Sequence, residues 1–206
     1  MSEVLVVCAH PDDEALGCGG VLRHHALSGD RITAVFLTSG EGGGHGEQHE
    51  QHRRTREREA RRAAAILGID VLQFWHEPDG RLRASGALAG RLRKLIDSLR
   101  PSRVYAPHAG DAHPDHRAVA RLVRQAVAAA RSRPLVRGFE IWTPVSRIEE
   151  VADISEVIAD KRRAIRAYRS QCAVMRLDDA AVGLARYRGE MHSWPGGPYA
   201  EVFSAG

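Results

Sequence analysis

The chain has 206 residues, of which 43% are hydrophobic and 27% charged, a composition typical of one folded domain and not of a disordered chain. No apolar run approaches the roughly 20 residues that span a bilayer, and the net charge of +4 is spread among acids with few aromatic side chains, so we expect neither a membrane protein nor a nucleic-acid-binding one. The three cysteines form no CxxC pair, which argues against a disulfide framework and favours a cytoplasmic protein.

Short apolar runs alternate with segments of helical periodicity along the chain. The first run has no basic segment before it and is interpreted as a strand, not as a signal peptide. Predicted strands cover residues 4–9, 32–37, 71–75, 103–106, 139–142 and 151–154. Predicted helices end near residues 27, 67, 99, 131 and 168, and the chain beyond gives no clear pattern. This alternation predicts an α/β fold with a mostly parallel sheet and helices on both faces, in a single domain over residues 1–206.

Two clusters of histidine and aspartate follow the first and fourth predicted strands. His10-Pro11-Asp12-Asp13-Glu14 comes directly after the first strand, and His113-Pro114-Asp115-His116 follows the fourth. In open α/β sheets, ligands bind beyond the carboxyl ends of the strands. We therefore expect the two clusters to share one site.

These clusters can supply a hydrolytic metal site. Zinc in such sites takes three His or carboxylate ligands and keeps one position open for water. His10 and Asp13 can provide two ligands from one turn, and His116 can provide the third. Because neighbouring residues of an extended chain point in opposite directions, Asp12 is interpreted as the general base that takes the proton of the water.

His113 precedes His116 by three residues and is expected to face the same cavity. We interpret it as the group that stabilises the oxyanion in its protonated form. Asp115 is expected to hold and charge His113.

The motifs AHPDDE at residues 9–14 and HPDH at residues 113–116 resemble the paired signatures of the PIG-L/LmbE-like N-deacetylases. Supporting matches cover nearly the whole chain: Thr38-Ser39-Gly40-Glu41, Arg56 with Glu59, Leu67-Gly68, Asp79-Gly80, Lys161, Ala164, Tyr168, Ser170, Gln171, Glu201 and Phe203. The resemblance implies a Rossmann-like three-layer sandwich, a zinc ion and an N-acetylglucosaminyl type of substrate.

Carried over by position, the resemblance implies zinc binding, general-base catalysis and oxyanion stabilisation by the same residues as proposed above. It also implies that Arg56 and Asp79 contact sugar hydroxyls, as in thiol-biosynthetic members. One departure is Asp111, which stands where some members have a tyrosine two residues before HPDH. Tyrosine assistance to the tetrahedral intermediate and the identity of the substrate therefore stay open.

The sequence thus predicts a zinc-dependent hydrolase that removes an N-acetyl group from a small N-acetylglucosaminyl-type amide. One alternative is an amidase that cleaves a larger acyl group or a thiol conjugate from an aminosugar. Another is a non-catalytic carbohydrate- or nucleic-acid-binding module on the same fold. The expected partner is the small-molecule substrate, and a homo-oligomer stays open.

Other motifs have simpler interpretations. The cluster of His45, His49 and His52 is interpreted as a solvated flap. Gly17-Cys18-Gly19-Gly20 does not match a dinucleotide-binding loop and is expected to allow close packing of helix on sheet. Glu14 is either an acid at a helix start or an anchor of the ligand turn.

Overall fold

The computed structural model describes residues 1–43, 49–193 and 196–206, and a seven-stranded sheet lies at its centre. The strands are β1 (Glu3–Cys8), β2 (Arg31–Phe36), β3 (Val71–Phe74), β4 (Arg103–Pro107), β5 (Leu135–Phe139), β6 (Glu150–Asp153) and β7 (Ala200–Ala205). Their order is β3-β2-β1-β4-β5-β7-β6. Strands β1 to β5 run parallel, whereas β7 is antiparallel to both β5 and β6.

Helices cover both faces of the sheet. They are α1 (Asp13–Leu27), α2 (His49–Leu67), α3 (Gly86–Leu99), α4 (Pro114–Ala129), α5 (Ile158–Ala167), α6 (Arg169–Cys172) and α7 (Leu177–His192). Side chains of α1, α2, α5 and α7 join one buried core, and those of α3 and α4 join another. The predicted α/β sandwich is confirmed.

The apolar run of β1 is explained by these two cores. Val4, Val6 and Cys8 face the first core, whereas Leu5 and Val7 face the second. Because successive side chains of a strand point to opposite faces, a central strand covered on both sides is apolar at every position.

The order of the strands reverses between β1 and β4, which are neighbours in the sheet although two strands separate them in sequence. A crevice opens at such a switch point, outside the carboxyl ends of the two strands. The loops that follow β1 and β4 carry the two histidine–aspartate clusters, so the topology brings both clusters to this crevice.

Helix α1 is interrupted near Cys18, whose backbone is not helical (φ −145°, ψ 21°). Beside this kink, the amides of Gly20 and Val21 donate to the two carboxylate oxygens of Glu201, both at 2.8 Å. The Lys161 ammonium donates to the carbonyl of Leu16 and to Glu201, each at 2.6 Å. A buried ion pair from α5 and β7 therefore satisfies backbone groups near the kink.

The glycines of α1 allow it to approach the sheet closely. A Cβ atom on Gly17 would overlap the Phe139 ring of β5, and one on Gly20 would lie 2.6 Å from Ile154. The interpretation of these glycines as packing residues is confirmed.

Three sequence-based predictions differ from the structure. The strand predicted at residues 139–142 lies at Leu135–Phe139 instead, and the apolar residues after it line a cavity and not a sheet face. Neither α7 nor β7 was predicted. The solvated flap is wrong for His52, which is buried in α2; His49 is exposed at the start of α2, and His45 lies outside the described residues.

Within the described ranges, no helix combines the length and apolar character needed to cross a bilayer.

Candidate active site

The ligand turn, residues His10–Glu14, connects β1 to α1 at the switch point. Asp12 has φ 114° and ψ −24°, a backbone conformation that residues other than glycine rarely adopt. Such backbone costs about 1–3 kcal/mol and is typical of functional sites. This turn places Asp12 and Asp13 on different partners.

The carboxylate of Asp13 is buried at the centre of the site. Its Oδ2 accepts from the backbone amides of Ala9 and His10 at 2.8 and 3.0 Å, and its Oδ1 lies 3.2 Å from Nε2 of His116. Burial alone would raise the pKa of Asp13, but the positive charge of the nearby His116, together with the charge and the backbone amide of His10, holds this pKa well below its usual range. Asp13 is therefore held as an ionised acceptor.

The ring of His116 is fully buried near the start of α4 and is fixed from behind by Asp111. Its Nδ1 lies 3.1 Å from Oδ1 of Asp111, which also accepts from the amide of His113 at 2.8 Å. The other oxygen of Asp111 accepts from the amides of Trp142 and Thr143. Asp111 thus orients His116 so that Nε2 faces Asp13.

His10, like His116, has one ring nitrogen against outer carboxylates and the other toward Asp13, but Nε2 and Nδ1 are exchanged between the two rings. Its Nε2 lies 3.0 Å from Oδ1 of Asp79 and 3.3 Å from Oδ2 of Asp115, while its Nδ1 lies 3.9 Å from Asp13. Asp115 also accepts from the amides of Gly80 and Leu82. The carboxylate of Asp115 therefore holds His10, whereas the sequence analysis expected it to hold His113.

These residues suit a divalent metal ion. Nε2 of His116 is a buried nitrogen that faces Asp13 at 3.2 Å as an ion pair but makes no hydrogen bond of good geometry with the described residues. Burial disfavours charge on both rings, yet their carboxylate neighbours raise the pKa of His10 to about 10 and that of His116 to about 9. A cation can replace the protons that the carboxylates retain on these rings, since metal binding deprotonates its ligands.

Two groups of donor atoms lie within 4.8 Å of one another and could hold a metal: His10, His113 and His116, or His10, Asp79 and Asp115. Asp13 is in neither group, but its carboxylate faces both histidines, 3.9 Å from Nδ1 of His10 and 3.2 Å from Nε2 of His116. The predicted ligands His10, Asp13 and His116 therefore form an inner set, with Asp79 and Asp115 on the outer nitrogen of His10. Ligand histidines commonly bind a carboxylate through the outer nitrogen, as both rings do here.

Asp12 lies beside this inner set and pairs with Arg56. The Arg56 guanidinium donates to Oδ2 of Asp12 at 2.9 Å and also to the carbonyl of Pro11. Burial raises the pKa of Asp12 to about 6, and Arg56 limits the rise. Arg56 therefore orients Asp12 and favours its ionised form.

His113 caps the start of α4, and its ring centroid lies 4.8 Å from those of His10 and His116. Its Nδ1 accepts from the backbone amide of Asp115 at 3.2 Å, which leaves Nε2 as the nitrogen that carries the proton of a neutral ring. Burial and the charges on His10 and His116 lower the pKa of His113. The structure thus favours a neutral donor, not the protonated ring of the sequence analysis.

The site opens into a cavity of about 540 Å³, a volume within the range of about 300–1,000 Å³ that holds small-molecule ligands. His10, Asp12, Asp13, Arg56, Asp79 and His113 line its charged part, so most of the predicted site residues share one cavity. His116 lies behind Asp13, and Asp115 lies behind His10.

Of two positioning groups, the sequence analysis did not assign one, Asp111, and left the other, Glu14, between two interpretations. Asp111 was noted only as a departure from a tyrosine, and its carboxylate two residues before HPDH was the available signal. Glu14 is fully buried and accepts from the amide of Asp12 at 3.2 Å and from the hydroxyl of Tyr168. Of the two interpretations of Glu14, the structure supports an anchor of the ligand turn.

Comparison with known proteins agrees with this site. Residues 5–127 match the profile of the family described as PIG-L: GlcNAc-PI de-N-acetylase, which covers both histidine–aspartate clusters. The chain belongs to the PIG-L family. A PIG-L relative, a probable N-acetyl-alpha-D-glucosaminyl L-malate deacetylase 2 of Bacillus cereus, is 32% identical over 193 residues, covering 86% of this chain and 87% of that protein.

Solved structures with the PIG-L fold resemble the whole chain. The conserved protein TT1542 from Thermus thermophilus has a TM-score of 0.87 at 32% identity, covering 100% of this chain and 94% of that one. GalB, the 4-carboxy-2-hydroxymuconate hydratase of Pseudomonas putida KT2440, has a TM-score of 0.88 at 26% identity, covering 100% and 96%. The fold therefore extends over the C-terminal residues beyond the profile match.

Proposed function

We propose that the chain is a zinc-dependent N-deacetylase that hydrolyses the N-acetyl group of a small N-acetylglucosaminyl-type amide. The observation that supports this most directly is the pair of histidines, His10 and His116. Each has one nitrogen against carboxylates and the other toward Asp13, in a cavity that also holds Asp12. The deacetylases among its PIG-L relatives add to that support.

His10, Asp13 and His116 would hold the zinc ion. Zinc in such a site lowers the pKa of a bound water to roughly 7 and polarises a carbonyl group. The chain itself supplies the acid–base groups. Asp12 would take the proton of the attacking water through the carboxylate that Arg56 orients, as a general base.

His113 would stabilise the oxyanion by donating from Nε2. A neutral ring can do this because the Asp115 amide fixes its Nδ1 as the acceptor. Attack of water on the acyl carbon and cleavage of the C–N bond yield acetate, and the proton taken up by Asp12 passes to the departing amine. Arg56 and Asp79 line the cavity, which supports contact with sugar hydroxyls.

The proposed partner is a small molecule. We also propose a cytoplasmic location, since Cys8, Cys18 and Cys172 are all free.

The test is amine release from a panel of N-acetylglucosaminides and related amides by the zinc-loaded protein. We expect release by the wild type and none by His116→Ala. Asp12→Asn should bind zinc with wild-type stoichiometry but lose roughly 10²–10⁴-fold in kcat, the usual contribution of a general base. Asp160→Asn is the matched control, since Asp160 pairs with Arg23 and Arg163 away from the cavity.

Two results would contradict the proposal. Full turnover by Asp12→Asn with zinc bound would remove Asp12 as the base. Because GalB shares the fold, 4-carboxy-2-hydroxymuconate belongs in the panel. Hydration of that compound, with no amine released from any amide, would overturn the deacetylase proposal.

A further inference from the structure

The cavity has an apolar part that the proposed chemistry does not use. Leu177, Ala181 and Leu184 line it from α7, and their i, i+4, i+7 spacing places them on one face of the helix. Leu16 of α1 and Ile141, which follows β5, line it as well. An N-acetyl hexosamine presents hydroxyl groups and one methyl group, so these residues exceed what it can cover.

The rim of the apolar part is unusually exposed. Trp142, Val174 and Met175 line the cavity, yet 53%, 55% and 45% of their surfaces are accessible to solvent. By contrast, only 12% of the Asp12 side chain and 3% of the Asp13 side chain are accessible. Large exposed apolar side chains that line the same cavity are typical of a ligand-binding surface.

The cavity thus has a buried charged floor and an exposed apolar rim. We propose that the substrate is an aminosugar amide with an apolar aglycone, an alkyl or aryl group that covers Trp142, Val174 and Met175. This inference deepens the proposed deacetylase function and rests on it.

Because the charged floor lies deep in the cavity and the apolar rim lies at its mouth, an apolar aglycone fits the rim better than a long acyl chain does. The amide must reach His10, Asp12 and Asp13 for hydrolysis, so an acyl chain would begin among charged groups. Its first methylenes would desolvate those groups without replacing their hydrogen bonds, which is costly. A sugar ring is polar and can occupy the space between the charged floor and the apolar rim, with its aglycone at the rim.

Glycosides of N-acetylglucosamine with methyl, butyl and hexyl aglycones, in both anomers, test this inference. We expect KM to fall roughly threefold for each methylene that becomes buried, with kcat unchanged, because the rim binds substrate and transition state equally. N-butanoyl and N-hexanoyl analogues of the methyl glycoside should show no such gain.

Two exposed methionines provide a matched pair of variants. Met175→Gln places a polar side chain of similar size on the rim and should reduce the hexyl-to-methyl ratio of kcat/KM at least threefold. Met191 is 63% exposed on α7 and does not line the cavity. Met191→Gln should therefore retain the wild-type ratio.

Equal KM values along the aglycone series, or a gain along the acyl series instead, would overturn the inference while amine release still supports the proposed function. Calorimetry with hexyl glucoside, which has no amide, measures binding to the apolar rim independently of hydrolysis and so separates failure of this inference from failure of the proposed function. Hexyl glucoside binding that Met175→Gln weakens, without amine release from any glycoside, would leave the apolar site standing and reject the deacetylase proposal.

Discussion

The buried ring of His116 lies between two carboxylates, Asp13 at 3.2 Å from Nε2 and Asp111 at 3.1 Å from Nδ1. Asp111 accepts three backbone amides as well, so its own orientation is fixed by the loops around it. Outer partners of this kind set the tautomer of a ligand histidine and raise its basicity. Asp111 would therefore act on the proposed metal site through His116.

Replacement of Asp111 by asparagine should weaken zinc binding by about 10- to 100-fold, the usual effect of removing an outer partner. An asparagine amide carries less negative charge and can present its NH₂ group to Nδ1. The measurement is competitive zinc titration against a chelating dye, together with kcat at saturating zinc. Asp178→Asn is the control, because Asp178 is also buried but pairs with Arg162 and Arg166 outside the cavity. Equal zinc affinities in all three proteins would show that Asp111 only supports the loop.

For individual residues, the sequence predicted which side chains would share the site but not which atoms would be in contact. His10, Asp12, Asp13 and His113 line one cavity because two motifs follow neighbouring strands. The partner of each carboxylate depends on loop conformation, which no motif encodes. Asp115 was therefore expected on His113 but lies on His10. The catalytic roles of these residues remain predictions.

Among the helices, α1 depends on a contact with two distant elements. Its interrupted hydrogen bonding near Cys18 is completed by Lys161 of α5 and Glu201 of β7, whose charged groups are 2.6 Å apart and almost fully buried. Removal of one member of a buried pair leaves the other charge without compensation. The stability of α1 should therefore be sensitive to either residue.

Glu201→Gln should lower the free energy of unfolding by about 3–5 kcal/mol, because Lys161 keeps its charge in a buried place. Urea denaturation followed by circular dichroism measures this loss. The matched control is Glu190→Gln, whose partner Arg186 is on the surface, with side chains 55% and 51% exposed. That change should cost less than about 0.5 kcal/mol. Similar losses in the two variants would mean that burial of the pair is unimportant.

The residues of α7 explain why this helix was not predicted. It begins without a side-chain cap at Arg176, and it contains Gly183 and the buried Arg188, which pairs with Glu140 at 2.7 Å. Its apolar residues are divided between the core and the cavity wall. A helix whose face is shared with a ligand pocket lacks the continuous apolar stripe that periodicity detects.

For the whole molecule, bound zinc should stabilise the fold by mass action. At a thousandfold excess over Kd, a ligand that binds only the native state contributes about 4 kcal/mol. In a chain of this size each kcal/mol raises Tm by roughly 2–4 °C, so EDTA should lower Tm by about 8–16 °C. Differential scanning calorimetry of the wild type and of His116→Ala measures this. A shift of the same size in His116→Ala would place the stabilising ion elsewhere.

The parallel half of the molecule was predictable because alternating strands and helices permit few topologies. The strand β6 was predicted as well, but β7 and its antiparallel pairing with β5 and β6 were not, since β7 returns only after α5, α6 and α7. In β7, Glu201 is a buried acid at a position where an apolar residue would indicate a strand. The acid is explained by its hydrogen bonds to amides of α1, which is far away in sequence.

All three proposed zinc ligands lie between residues 10 and 116, inside the span that matches the family profile. The ligand turn is nevertheless held by Tyr168 through Glu14, and α1 behind it is held by Lys161 and Glu201; all three residues lie outside that span. A premature stop codon after residue 127 would thus leave a product that carries both histidine–aspartate clusters but lacks the side chains that hold the ligand turn and α1 in place.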